Sequence, residues 1–134
     1  MDESLNIEKT YNHWIETSEK DFSTMINLYN SGDFLWSLFI GHLVIEKLLK
    51  ACFILKNKDH PPFTHDLSRL AELSKLDLTT EQSDWLDTIT AFNINARYDS
   101  YKDEFYKKCS PEYTNEWIEK IKSLRLWIKE KLLR

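Results

Sequence analysis

The chain has 134 residues, 42% of them apolar and 30% charged, with a formal net charge of −4. That size suits one domain over residues 1–134 that buries its own core without a disulfide or metal staple, and the balance of residue types excludes a disordered chain. Two glycines, three prolines and the lone Val44 beside 18 leucines leave too few turns and β-branched residues for a sandwich or barrel, so the composition reads all-α.

The acidic balance argues against broad, sequence-blind nucleic-acid binding while leaving room for a local basic site. Cys52 and Cys109 are too few and too far apart for a disulfide framework, and each reads as an idle thiol. Met1 to Asn6 has no apolar core of the kind a signal peptide needs, and the charge-free run from Phe34 to Ile45 is too short to cross a bilayer. A soluble, cytoplasmic protein with no membrane partner is the expectation.

In chain order, Tyr11, Trp14, Ser18, Phe22, Met25 and Tyr29 recur at three- and four-residue steps, the stripe of an amphipathic helix. Asn30-Ser31-Gly32-Asp33 ends it, with Gly32 suited to the left-handed position and Asp33 to the next N-cap. The second helix, from Asp33 to about Asn57, is apolar on nearly every side and therefore needs cover on several. Gly41 costs such a helix about 1 kcal/mol relative to alanine, which a close helix crossing would offset. These features point to a homodimer, and Gly41, His42, Glu46 and Asn93 are the residues expected at its interface.

Pro61-Pro62 marks a rigid connector, after which Thr64 is expected to cap a short helix carrying Leu67, Leu70, Ala71 and Leu73. Thr79 with Gln82 reads as a capping box that opens a helix burying Trp85, Leu86, Ile89, Phe92 and Ala96. Arg97 to Cys109 is crowded with charges and tyrosines and shows no clear period. Ser110-Pro111 suits the start of a last helix that buries Trp117, Ile121, Leu124 and Ile128. The expected architecture is one helical bundle of four long helices with one short extra helix.

Three constellations carry chemistry. His42, Glu46 and Lys50 lie four apart on one stripe of an apolar helix, where charges are expensive unless paired. They form either a polar site or a register-setting pair. His65-Asp66 opens the short helix and reads either as a phosphate-touching or catalytic pair or as ordinary helix-start residues. Asn93, Asn95 and Arg97 end a buried helix, and Arg97 offers a planar fork of donors to an anion or a bridge to Glu46 or Asp66. Tyr98, Tyr101 and Tyr106 fall outside any core period and could stack a base or face a partner. No ligand spacing suits a metal, no Gly-rich loop or serine elbow is present, and no cofactor is expected.

These pieces, in this order, resemble the HEPN superfamily. The carriers are His42-Leu-Val-Ile-Glu46-Lys47-Leu-Leu-Lys50-Ala51, then Pro61-Pro-Phe-Thr-His65-Asp66-Leu67, then Ala96-Arg97-Tyr98, within a likeness over roughly residues 8 to 132. The resemblance implies an up-and-down four-helix bundle that dimerises with its active face near the subunit boundary. It also implies one of two activities. Catalytic members are metal-independent ribonucleases, often toxins, with an Arg-x4–6-His motif whose arginine steadies the phosphate and whose histidine handles the proton of the attacking 2′-hydroxyl. Here Arg97 is followed at those spacings by Lys102, Asp103 and Glu104, and no histidine follows it anywhere.

Members lacking that histidine resemble companions of a minimal nucleotidyltransferase, some acting as the nucleotide-binding half of the pair, and related toxin pairs adenylylate a tyrosine. The expected function is therefore a non-catalytic subunit that binds a nucleotide or a partner nucleotidyltransferase, in a system of toxin–antitoxin type. Arg97, Tyr98, Glu46, Lys47, Lys50, His65 and Asp66 would form its polar face. The alternatives are a ribonuclease whose displaced base is His65 acting with Arg97, and a purely structural homodimer.

Overall fold

The computed structural model describes residues 6–133, and the stretch read above for a signal peptide, apart from Asn6, lies outside them. Six α-helices follow one another: α1 (Ile7–Asn30), α2 (Phe34–Asn57), α3 (Leu67–Leu73), α4 (Thr80–Arg97), α5 (Asp99–Lys108) and α6 (Pro111–Leu132), with no strand among the described residues. Four are long, as the periodicity implies, and the short ones number two rather than one. No described helix is long and apolar enough to cross a membrane.

The helix ends follow local chemistry. The Asn6 side chain accepts from the Lys9 amide, the Thr79 and Gln82 side chains close a reciprocal capping box, and Ser110 accepts from the Tyr113 amide ahead of Pro111 at N1. Gly32 takes φ +82° in the α1–α2 turn, the left-handed geometry that a Cβ would oppose. Two expectations shift. Asp33 precedes α2 without a side-chain cap hydrogen bond. Asp66, not Thr64, caps α3 by accepting from the Arg69 amide, while the Thr64 hydroxyl accepts from the Asp66 amide.

α2 is the hub: α1, α3, α4, α5 and α6 all pack on it. This explains its apolar circumference, because neighbours of the same chain cover most of its sides. Its two ends stay open: Trp36 is 40% exposed with Phe39, Ile40 and Leu43 half-buried at the start, and Phe53 and Leu55 are half-buried with Lys56 and Asn57 exposed at the finish. The crossing that accounts for Gly41 is likewise within the chain. A Cβ there would lie 2.6 Å from Ile121 Cδ1 of α6 and 3.1 Å from Met25 Sδ of α1. The Ser18 and Ser37 hydroxyls tie the same α1–α2 seam by donating to the Val44 and Met25 carbonyls, each at 2.9 Å. On the far side, α5 is pinned by Phe105, which stacks on Phe92 at 5.4 Å, while Trp117 meets Phe92 edge-on at 5.6 Å.

Candidate functional site

The polar stripe of α2 is buried in this core. His42 has no exposed surface, Glu46 is 4% exposed and Lys50 is 9% exposed, so each needs a partner. Glu46 supplies two. Its Oε2 accepts from Lys50 Nζ at 2.9 Å, one helical turn on, and its Oε1 accepts from His65 Nδ1 at 2.8 Å. Lys50 also lies over the Trp14 ring of α1, 5.0 Å from its centroid. Desolvation pushes the Glu46 carboxyl up, but the hydrogen bonds from His65 and Lys50 and the charge of Lys50 outweigh it, and its pKa settles below the usual carboxylate value.

The connector before α3 delivers His65 to this carboxylate. Two contacts hold the segment: the Leu67 amide donates to the Thr90 hydroxyl of α4, and His42 Nε2 lies 3.0 Å from the His65 carbonyl. A carbonyl only accepts, so His42 carries its proton on Nε2. Its Nδ1 is then a buried lone pair without a hydrogen-bond partner. With Nδ1 of His65 donating to Glu46, the Nε2 of His65 faces outward on a side chain that is 60% exposed. A buried carboxylate thus fixes the orientation of an accessible imidazole, whose Nε2 serves as a general base in the neutral ring and as an anion donor when both nitrogens carry protons.

Arg97 ends α4 beside this group. Its Nε donates to the Asn93 side-chain oxygen at 2.5 Å and to the Asn93 carbonyl at 3.2 Å, and the guanidinium lies 5.3 Å from the Tyr98 ring centroid. It makes no bridge to Glu46 or Asp66, and its two terminal nitrogens have no hydrogen bond to a described residue. Around His42, Glu46 favours the protonated ring while His65 and Arg97 oppose it. Burial is the largest influence on His42 and holds its pKa below the ordinary histidine value of 6.5.

The remaining candidates divide. Lys47 turns to the other side of α2 and pairs with Asp21 of α1 at 2.6 Å, away from the carboxylate of Glu46. Asp66 is occupied as the α3 cap, and Asn93 is buried as the anchor of Arg97. Tyr98, Tyr101 and Tyr106 are all more than half exposed on α5 or at its start, and Lys102 of α5 lies over Trp36 at 4.7 Å. Gly41, His42 and Asn93 are buried by the chain itself, so their burial requires no second subunit. Among the described residues, no group of three or more His, Cys, Asp or Glu is disposed to hold a metal. Burial pushes the Cys52 and Cys109 thiols up to about 12 and about 11, which keeps both protonated at neutral pH.

The buried pair fixes a pH response. The folded pKa of His42 lies below 6.5, so its contribution to stability is complete above that value and is lost as pH falls toward the folded pKa. Glu46 is likewise shifted down from 4.5, and its contribution is lost on further acidification. Melting temperature is therefore expected to fall in two stages, the first beginning below pH 6.5 and the second below pH 4.5. His42→Gln should remove the first stage and keep the second; a single acid transition in the unmodified protein would contradict this.

Comparison with known proteins agrees with the helical fold. The model of the HEPN domain family matches residues 11–132, nearly the whole chain. A structural search returns TT1696 from Thermus thermophilus, with a TM-score of 0.74 and 16% sequence identity over 90% of this chain and 97% of that one. At that identity the likeness speaks to the fold. A search of curated proteins gave no match.

Proposed function

The chain belongs to the HEPN domain family, and from that premise we propose that it is a binding subunit whose Arg97–His65 face takes the phosphate of a nucleotide. One observation carries the reading. The Arg97 guanidinium is tied at Nε by Asn93 and its terminal nitrogens are uncommitted to any described residue, while Glu46 orients His65 through Nδ1 and leaves that side chain largely exposed. A fork of donors held in place by its inner nitrogen meets phosphate oxygens with little loss of conformational freedom. Tyr98 beside it, and Tyr101 one turn along α5, supply exposed rings on which a base can stack.

The family resemblance supplies the partner: a minimal nucleotidyltransferase, in a system of toxin–antitoxin type. The exposed aromatics Trp36, Tyr98 and Tyr101, with Lys102 of α5 lying over Trp36, favour protein contact, either with that transferase or with a second copy in a homodimer. The test is thermal unfolding with and without ATP, GTP, CTP and UTP in chelator. At least one is expected to raise the melting temperature, as binding to the folded state requires. No shift with any of them at millimolar concentration would refute the reading.

A second reading rests on a separate observation. The Glu46–His65 pair leaves an oriented imidazole nitrogen open to solvent, which is what a general base requires. In that reading the protein is a metal-independent ribonuclease whose displaced base is His65 and whose phosphate contact is Arg97. Purified protein in chelator would then cut a mixed RNA to 2′,3′-cyclic ends, and both His65→Ala and Arg97→Ala would abolish the cut. RNA left intact by the unmodified protein would dismiss it.

A further inference from the structure

A cleft opens farther along α2, where Cys52, Leu55 and Lys56 stand six to ten residues beyond Glu46, about 9–15 Å down the helix axis. It measures about 380 Å3 and is bounded by the ends of α2 and α6 and the turn after α3. Cys52, Leu55, Leu76 and Leu132 contribute apolar walls, and the Cys52 thiol stays protonated and behaves as part of them. Ser74 also lines the cleft, but its hydroxyl is directed to the Leu49 carbonyl at 3.4 Å. Charge at the cleft is one-sided: Lys56, Lys75 and Lys131 against Asp77. Lys131 lies over the Trp127 ring, whereas Lys56 and Lys75 form no ion pair with a described residue.

Lys75 is also conformationally unusual. It adopts φ +58°, one of two non-glycine residues with positive φ among those described, at the position after the α3 C-cap where glycine is the residue of least strain. The local fold would be easier with glycine there, yet the chain carries a long cation on the cleft wall. An observed backbone outlier beside a concavity is grounds for a functional assignment. Volume, apolar walls and one-signed charge match the general anatomy of a small-molecule site.

We propose that this cleft binds a small amphiphilic anion, a carboxylate on a medium-length acyl chain, with the apolar body against Leu55, Leu76 and Leu132 and the head group between Lys56 and Lys75. The site is independent of Arg97 and His65, and its existence does not depend on the nucleotide reading.

The experiment is isothermal titration of the full chain with octanoate, octanol and inorganic phosphate in parallel. Octanoate is expected to bind at one site per chain, and more tightly than either of the others. Lys75→Gly should weaken octanoate binding roughly threefold and Lys56→Ala with Lys75→Gly about tenfold, while Lys75→Gly raises the melting temperature by relieving the left-handed lysine. Lys58, the other positive-φ lysine, does not line the cleft. Lys58→Gly should stabilise the fold in the same way and leave octanoate affinity unchanged. Octanol or phosphate binding as well as octanoate, no saturable octanoate binding, or unchanged octanoate affinity in the double variant would each overturn the proposal.

Discussion

Glu46→Ala is expected to lower the unfolding free energy by about 3–5 kcal/mol, the range for removing one partner of a buried ion pair. The magnitude follows from what the substitution leaves behind. Lys50, whose side chain is 11% exposed, would keep its ammonium inside the bundle with only the Trp14 face for company. His65 would lose the hydrogen bond that orients it. Urea unfolding measures the loss, and a change below about 1 kcal/mol would mean that the pair is better solvated than its burial indicates. Replacing both members, Glu46→Leu with Lys50→Met, should recover most of the stability, because a well-packed apolar pair is often as good as a buried ionic one. It should not recover the function of His65, which still lacks its carboxylate. That split separates holding the bundle together from aiming the imidazole.

Arg97→Ala is expected to weaken nucleotide binding about ten- to hundredfold, from the loss of hydrogen bonds to a charged group worth roughly 1.5–3 kcal/mol. Stability should change little, since the guanidinium is exposed and its described hydrogen bonds are both to Asn93, one turn back on the same helix. Arg97→Lys should rescue poorly: an ammonium keeps the charge but not the planar fork, and it has no equivalent of the Nε that Asn93 grips. Competition titration against a fluorescent nucleotide measures both variants. Wild-type affinity in Arg97→Ala would remove the arginine from the binding face.

Much of the bundle is legible in the sequence because helix ends and apolar periods are local properties. Thr79 with Gln82, Ser110 with Pro111 and Gly32 each announce an end through chemistry confined to four residues. α5 is not legible, because of its ten residues only Phe105 is buried, and one buried residue makes no period. Its position depends on Phe92, thirteen residues earlier and on another helix. The same limit governs the site. Spacing places His42, Glu46 and Lys50 on one stripe, but it does not reveal that His65 completes Glu46 across nineteen residues. Nor does it show that Lys47 turns away to Asp21 or that Asn93, rather than Glu46 or Asp66, holds Arg97. The role of Gly41 is instructive: its missing Cβ does signal a close crossing, and only packing reveals that Ile121 and Met25 of the same chain fill the space.

The central claim is that a nucleotide phosphate sits between Arg97 and His65, accepting from an Nε2–H on a ring that carries protons on both nitrogens. The most direct measurement is the ring-nitrogen spectrum of protein carrying 15N-labelled histidine, recorded while the nucleotide that raises the melting temperature is added. The account predicts that the Nε2 signal of His65 moves with a saturable dependence on nucleotide, that the signals of exposed His13 and His60 stay in place, and that Arg97→Ala abolishes the movement. A nucleotide that saturates and stabilises the protein while the His65 signal does not move would contradict it.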